Sequence, residues 1–328
     1  MRTFIVRACG AMVVAAALLA AEPDVTAASG QSAGAFRSRT SLVSLTVTVQ
    51  DPSARYITDL QPADFAVYED GVRQSVQFFG ADALPVDLIV LLDSSASMEG
   101  KVEAVRGAAQ AFLDTLRPGD RGAVVAFNQR VTVVQPLTDD RAALTRALGS
   151  ARASGNTALH AALYVALKQF GAAVKSDDSI RRQTIAVLSD GEDTASVVKF
   201  DDVLSLARQT GVNVYTVRLR SDAEDERRRA LAGVPQFFAE SEFEMKTLAR
   251  ETGALAFAPT LAQLRRVYSS IAQEVASQYS IGYQPSSQAR GAGFRRVAVR
   301  ILTRPELRAR TRSGYSDDSG GAAAAATR

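Results

Sequence analysis

Short apolar runs alternate with amphipathic stretches between Pro85 and about residue 260. Only a few folds are compatible with such an alternation. The runs are rich in Val, Ile and Leu, as expected of strands that are buried on both faces of a parallel sheet. The stretches between them carry apolar residues at helical spacing, for example Val102, Val105, Ala109 and Phe112. The pattern predicts a doubly wound, mostly parallel α/β sheet. The predicted strands are residues 88–92, 122–127, 131–135, 184–188, 212–219 and 254–257.

Two of these strands, 122–127 and 131–135, are separated by only three residues. A connection this short forms an antiparallel hairpin, because a parallel pair needs a crossover. We therefore expect one antiparallel strand at an edge of a six-stranded sheet. A final amphipathic stretch at 261–275 predicts the last helix of the domain.

The hydrophobic period changes to two residues on both sides of this block, which predicts flanking β-structure. Glu69-Asp70-Gly71 is a hairpin turn signal. A few strands with one apolar face are marginal alone, so we predict that both flanks pair into one smaller β-sandwich-like domain. The predicted flanking strands are residues 41–49, 65–68, 73–79, 279–283, 295–302 and 307–311.

The N-terminus has the pattern of a signal peptide. Two arginines precede an apolar run, residues 8–21, that is too short to span a bilayer. Small residues predict cleavage near Ala27, with the Ala20-Ala21 region as a competing site. Cys9, the only cysteine, lies inside this segment. We expect a secreted or periplasmic protein without disulfides and without a stable membrane anchor after cleavage.

The 328 residues are 47% hydrophobic, enough for one sizeable core and a smaller domain. We predict a signal peptide at 1–27, an N-terminal β segment at 36–83 and an α/β domain at 84–277. A C-terminal β segment at 278–315 and a Gly/Ala-rich disordered tail at 316–328 complete the chain.

Composition argues against several functional classes. A single histidine, His160, excludes multi-histidine zinc sites and most nucleophile–base arrangements, so we do not expect an enzyme. His160 itself is either a ligand or pH switch, or a partly exposed helix residue. Arginines concentrate at 290–312 without interleaved aromatic residues, so nucleic acid is not an expected partner. These arginines could bind an acidic partner, but Arg308, Arg310 and Arg312 alternate like the solvated face of a strand, which we favour.

Oxygen-bearing side chains follow the first predicted strand, where polar groups near a core need partners. Asp93, Ser95 and Ser97 form an Asp-x-Ser-x-Ser sequence, Thr157 precedes a helix, and Asp190 follows the fourth strand. Ligands bind at the carboxyl edge of such sheets, so we expect these groups to converge. Carboxylate and hydroxyl oxygens suit a hard cation such as Mg²⁺. Each segment alone is also compatible with ordinary helix capping or a turn.

Three segments together resemble the metal-ion-dependent adhesion site of the von Willebrand factor type A domain. They are Asp93-Ser94-Ser95-Ala96-Ser97-Met98, Gly155-Asn156-Thr157-Ala158-Leu159 and Ser189-Asp190-Gly191-Glu192-Asp193. The resemblance covers about 85–277, and 64–71 with 278–283 resemble the flanks of secreted bacterial relatives. It implies a Rossmann-like fold and a bound Mg²⁺, with Mn²⁺ or Ca²⁺ as alternatives. The implied ligands, some acting through water, are Asp93, Ser95, Ser97, Thr157 and Asp190.

The resemblance also implies a function and a conformational switch. The ion would accept an Asp or Glu carboxylate from a protein partner, with Thr157 approaching the ion as Asp190 retreats behind water and the final helix moves. Asp193 is a candidate for a supporting position. We therefore expect an exported, adhesion-type protein-binding module.

Two other functions remain open at this point. One is an envelope assembly factor or chaperone that acts with an ATPase. The other is metal-assisted hydrolysis, for which only Glu192 and Asp193 offer a general base.

Residues 221–243 follow a strand that ends at the same sheet edge. They form either a specificity loop or a surface helix at 223–231 with Phe237 and Phe238 packed inward.

Overall fold

The computed structural model describes residues 42–80, 84–173, 180–190, 192–220, 226, 240–286 and 293–317. They belong to one unit, Thr40–Arg328. The strands of the first flank are β1 (Val43–Gln50), β2 (Phe65–Glu69), β3 (Val72–Gln74) and β4 (Val76–Gly80). Those of the second flank are β11 (Tyr279–Tyr283), β12 (Gly293–Ile301), β13 (Arg308–Arg310) and β14 (Gly314–Asp317).

Between the flanks, strands and helices alternate. The strands are β5 (Val86–Asp93), β6 (Arg121–Phe127), β7 (Val131–Thr138), β8 (Arg182–Ser189), β9 (Asn213–Arg218) and β10 (Ala256–Phe257). The helices are α1 (Val102–Leu113), α2 (Arg141–Ser150), α3 (Leu159–Ala173), α4 (Phe200–Thr210), α5 (Glu240–Glu251) and α6 (Leu264–Ala276). None of the helices in the described part of the chain is both long and apolar enough to cross a membrane.

The central sheet has the strand order β10-β9-β8-β5-β6-β7. Its neighbouring strands are parallel except for the β6–β7 hairpin at the edge. The predicted α/β fold class is confirmed, including the single antiparallel edge strand. The fully buried β5 lies in the middle of the sheet, and its carboxyl end leads into the Asp-x-Ser-x-Ser loop.

The alternation of side chains along β5 explains why this sheet has a core on each face. Successive side chains of a strand point to opposite faces. Val90 and Leu92 belong to a cluster with residues of α1 and α6, whereas Ile89 and Leu91 belong to a cluster with residues of α3 and α4. Full burial of one such side chain stabilises a fold by about 1.5–3 kcal/mol.

Strands from both flanks form two small antiparallel sheets, in the orders β13-β1-β11-β4 and β14-β12-β2-β3. Leu45 of β1 pairs with Ile281 of β11, and Val67 of β2 pairs with Val299 of β12. Their inner faces share one apolar cluster. The two flanks therefore depend on each other for strand partners and for a core.

The structure differs from the predicted flanking strands in two places. The predicted strand 73–79 is divided at Ser75, so that β3 lies in one small sheet and β4 in the other. β14 is not among the predicted strands, and its residues 316–317 fall in the predicted disordered tail. The hydroxyl of Tyr315 in β14 donates to Oε2 of Glu69 at 2.8 Å, which attaches this polar strand to the shared core.

The solvated-face prediction is wrong for Arg310 and Arg312, although Arg308 is exposed. The guanidinium of Arg310 lies 2.7 Å from Oε1 of Glu274, a buried residue of α6. Burial lowers the pKa of Arg312, whose backbone nitrogen would lie 2.5 Å from a Cβ placed on Gly253. This strand edge therefore packs against the α/β domain, a long-range contact that local alternation does not reveal.

Two predicted regions lie mainly outside the described residues. The predicted signal peptide at 1–27 is one of them. In the 221–243 segment only residues 226 and 240–243 are described, and the latter form the start of α5.

Candidate metal centre

Asp93 ends β5 and its side chain lies inside the protein, with only 3% of the residue exposed. Its Oδ1 accepts a hydrogen bond from the backbone N–H of Ser95 at 2.8 Å, and its Oδ2 accepts one from the hydroxyl of Ser189 at 2.5 Å. Burial raises the pKa of Asp93, and these hydrogen bonds oppose that shift only in part. Within the described residues, no Lys, Arg or His forms an ion pair with this carboxylate.

The serines after Asp93 have two different roles. The backbone N–H and the hydroxyl of Ser94 both donate to the carbonyl oxygen of Phe127, at 2.7 and 2.9 Å, which joins the ends of β5 and β6. The hydroxyl oxygens of Ser95 and Ser97 are 3.0 Å apart, and Ser97 donates to Oδ1 of Asp190 at 2.7 Å. Ser95, Ser97 and Asp190 thus form one hydrogen-bonded chain beside Asp93.

Thr157 is brought to the same edge by backbone hydrogen bonds. The N–H of Ala96 donates to the carbonyl of Gly155 at 2.9 Å. Thr157 is buried, its N–H donates to Oγ1 of Thr194 at 3.1 Å, and its carbonyl accepts from the N–H of Thr194 at 2.8 Å. These bonds leave the hydroxyl of Thr157 without a hydrogen bond to any described residue.

Two residues of this cluster are not among the predicted site residues. The ammonium of Lys101 forms an ion pair with Oδ2 of Asp190, and the hydroxyl of Ser189 donates to Asp93. Ser189 was visible as a hydroxyl next to Asp190. Lys101 lies eight positions after Asp93, and nothing in local sequence connects it with a residue eighty-nine positions away.

Asp193 and His160 lie at the border of this cluster. Oδ1 of Asp193 accepts from the hydroxyl of Ser196 at 2.7 Å and from the N–H of His160 at 3.3 Å, so Asp193 fixes its own loop against α3. The imidazole of His160 lies between two carboxylates, 3.5 Å from Asp193 and 3.1 Å from Glu244. The pKa of Glu244 is raised by burial. The structure therefore gives both Asp193 and His160 partners within the protein.

The chemistry of the donors suits a hard divalent cation. In the described part of the chain, no three His, Cys, Asp or Glu side chains converge as a metal site. A cation held here would therefore need hydroxyl oxygens beside the carboxylates of Asp93 and Asp190, as Mg²⁺ permits because it prefers oxygen ligands and retains water. The ammonium of Lys101 forms an ion pair with Asp190 at the same place. The residues present fit such an ion.

Comparison with known proteins shows several similarities. The sequence profile described as von Willebrand factor type A domain matches residues 87–251. An uncharacterized Synechocystis protein is 35% identical over 112 residues, which cover 33% of this chain and 26% of that protein. A UPF0353 protein of Mycobacterium bovis is 26% identical over 247 residues, 68% of each chain. The match thus spans about a quarter of the first relative and about two thirds of the second.

A von Willebrand factor type A structure from Catenulispora acidiphila is 14% identical, with a TM-score of 0.49. It covers 81% of this chain and 71% of that chain.

Proposed function

The chain belongs to the von Willebrand factor type A domain family, and from this premise we propose that it is an exported protein-binding module that recognises a partner's carboxylate through a divalent cation. The proposed ligands are the side chains of Asp93, Ser95, Ser97, Thr157 and Asp190. The proposed resident ion is Mg²⁺, which Mn²⁺ or Ca²⁺ can replace.

The observation that carries this proposal is the position of Asp93. Its carboxylate is buried without a cationic partner in the described residues, beside the hydrogen-bonded chain of Ser95, Ser97 and Asp190. A buried charge without an opposite charge is costly. A divalent ion bound at this edge would neutralise it and present a positive centre to a carboxylate from outside.

Different residues of the protein would orient, donate or supply the oxygens that hold such an ion. Ser189 and the N–H of Ser95 orient the carboxylate of Asp93. Ser97 donates its proton to Asp190 and accepts from the hydroxyl of Ser95, which leaves one lone pair of its oxygen for an ion. Thr157 contributes a hydroxyl that no described residue uses. The loops are joined by backbone bonds, so the donors are positioned before a partner arrives.

Two measurements on the full chain test this proposal. Isothermal titration calorimetry with Mg²⁺ should show one site in the parent and none in Asp93→Asn. Asp201→Asn, which removes an exposed carboxylate from the first turn of α4, is the matched control and should bind as the parent does. Mg²⁺ binding that is the same in the parent and in Asp93→Asn contradicts the ligand set.

The second measurement concerns the partner. Protein captured from cell-envelope extract in Mg²⁺ should be released by chelator and should bind more weakly to Thr157→Ala, even where that variant retains the ion. Capture that chelator does not reverse places recognition elsewhere on the chain.

Export and the absence of catalysis are parts of the same proposal. Cell fractionation and mass spectrometry should find a processed product outside the cytoplasm. A full-length cytoplasmic product contradicts export and favours the assembly-factor alternative. Mg²⁺-dependent hydrolysis by the purified protein, lost in Asp93→Asn, contradicts the binding-only role.

A further inference from the structure

Lys101 occupies a position that local helix preferences disfavour. It is the N-cap residue of α1, and its side chain makes no capping hydrogen bond. Ser, Thr, Asp and Asn are preferred there, and a positive charge is unfavourable at the positive end of a helix dipole. A residue that breaks a local rule often serves a site. The contact that compensates here is the ion pair with Asp190.

The ion pair also determines what Asp190 can do. Its side chain is only 6% exposed. Ser97 donates to Oδ1 at 2.7 Å, and the ammonium of Lys101 contacts Oδ2. Both carboxylate oxygens are thus engaged by donors from the loop and the helix that follow Asp93. Asp190 cannot turn Oδ2 toward an ion while Lys101 holds it.

Charge leads to the same conclusion. Asp93 and Asp190 provide two negative charges at the sheet edge, and Lys101 cancels one of them. A divalent cation that enters this edge meets both a weaker negative field and direct repulsion from the ammonium. Lys101 is 34% exposed, so its flexible side chain has room to leave toward solvent.

We propose that Lys101 is a built-in competitor of the divalent cation, an ammonium that neutralises Asp190 and must be displaced before Asp190 can approach the ion. This inference rests on the proposed function. Lys101 thereby lowers the affinity of the site for the cation by the fraction of molecules in which it holds Asp190.

The test is Mg²⁺ titration calorimetry on the full chain and on two substitutions that each remove one positive charge. Lys101→Met should bind Mg²⁺ about tenfold more tightly than the parent, because the repulsion and the competition for Oδ2 are gone. Lys168→Met is the matched control, since Lys168 lies over the ring of Tyr164 on α3. It should bind Mg²⁺ as the parent does. Equal gains in both variants indicate a general charge effect and overturn the proposal.

A charge-retaining variant and a stability measurement protect the test from folding defects. Lys101→Arg should bind no more tightly than the parent. In chelator, Lys101→Met should melt at a lower temperature than the parent because Asp190 loses its counter-ion, and Mg²⁺ should raise its melting temperature by more. If the parent binds Mg²⁺ and Lys101→Met binds equally or more weakly, the inference fails and the proposed function stands. If neither binds Mg²⁺, the proposed metal site fails and the inference with it.

Discussion

Strand β5 carries a buried aspartate near each end, and the two differ in whether cationic side chains bond to them. Asp87, near the beginning of the strand, is 1% exposed, and Asp93, at its end, is 3% exposed. Asp87 accepts hydrogen bonds from Arg121 at 2.7 and 2.8 Å and from Arg181 at 2.7 Å. Among the described residues, the hydrogen bonds to Asp93 come from a backbone N–H and from serine hydroxyls, and none comes from a cation.

The comparison separates a carboxylate that is neutralised within the protein from one that is not, and the proposed function assigns the second to a cation. Charge-assisted hydrogen bonds are the strong ones, and Asp87 receives them from two guanidinium groups of the same chain. Asp93 has a comparable degree of burial without this compensation. The cation that Asp93 lacks must come from outside, if it is to be neutralised while ionised.

Burial without an ion pair is not sufficient to identify such a site. Glu69 is also buried, and its Oε2 accepts hydrogen bonds from the hydroxyls of Tyr283 at 2.6 Å and Tyr315 at 2.8 Å. It lies between the small sheets, whereas Asp93 lies at the carboxyl edge of the central strand beside Ser97 and Asp190. Position in the fold and the neighbouring oxygens make the difference.

The largest expected effect is on stability in the absence of metal. Asp87→Asn should lower the free energy of unfolding by about 3 kcal/mol, because hydrogen bonds to charged groups contribute about 1.5–3 kcal/mol each. Asp93→Asn, the same substitution at the other end of the strand, should leave stability in chelator unchanged or higher, since it removes an uncompensated charge. Urea unfolding in chelator measures both. If Asp93→Asn is as destabilised as Asp87→Asn, the distinction between the two aspartates is wrong.

The second effect is stabilisation by the ion. Mg²⁺ at one hundred times its dissociation constant should raise the unfolding free energy of the parent by about 2.7 kcal/mol. Asp87→Asn should gain the same amount from Mg²⁺ although its unfolding free energy in chelator is lower, because Asp87 lies near the other end of β5 from the proposed ligands. Asp93→Asn should lose it. Parallel urea titrations in Mg²⁺ and in chelator give the three increments, and a full increment in Asp93→Asn would disprove the role of this aspartate.

Local pattern was sufficient to predict the central sheet, because its strands are short, apolar and separated by helical periodicity. The β6–β7 hairpin followed from three connecting residues alone. The ends of β5 and β8 placed Asp93 and Asp190 at one edge, since parallel strands present their carboxyl ends together.

The features that local sequence does not predict depend on partners far away in the chain. The alternation around Arg310 is that of an exposed strand, yet this arginine lies against Glu274 of α6. Lys101 is an unfavourable N-cap until the fold brings Asp190 to it. The split at Ser75 arises because β3 and β4 have partners in different sheets, β2 and β11. Each of these depends on residues far away in sequence, which periodicity cannot identify.

A smaller effect is expected from pH. Burial raises the pKa of Asp93, and Mg²⁺ binds the ionised form. The affinity for Mg²⁺ should therefore begin to fall, as the solution is acidified, at a pH above that expected for an ordinary aspartate. In chelator, folding stability changes with pH in the opposite direction to Mg²⁺ affinity. The contribution of Asp93 to stability is present below its unfolded-state pKa and is lost as pH rises through the raised folded-state pKa.

Calorimetry across the acidic range measures the first effect, and the difference in unfolding free energy between the parent and Asp93→Asn isolates the second. A difference that does not change with pH would show that Asp93 titrates equally in the folded and unfolded chains.

The smallest effect should come from Ser189→Ala. The hydroxyl of Ser189 donates to Oδ2 of Asp93 at 2.5 Å and opposes the rise in the pKa of that carboxyl. Its loss removes a bond that favours the ionised form, so the pH at which Mg²⁺ affinity falls should move further upward. Well above that pH the carboxylate is ionised in both proteins, and the affinities should converge. Ser94→Ala is the control, since Ser94 bonds to Phe127 and not to Asp93. An equal shift in Ser94→Ala would mean that the loop as a whole, rather than the hydrogen bond from Ser189, sets the titration of Asp93.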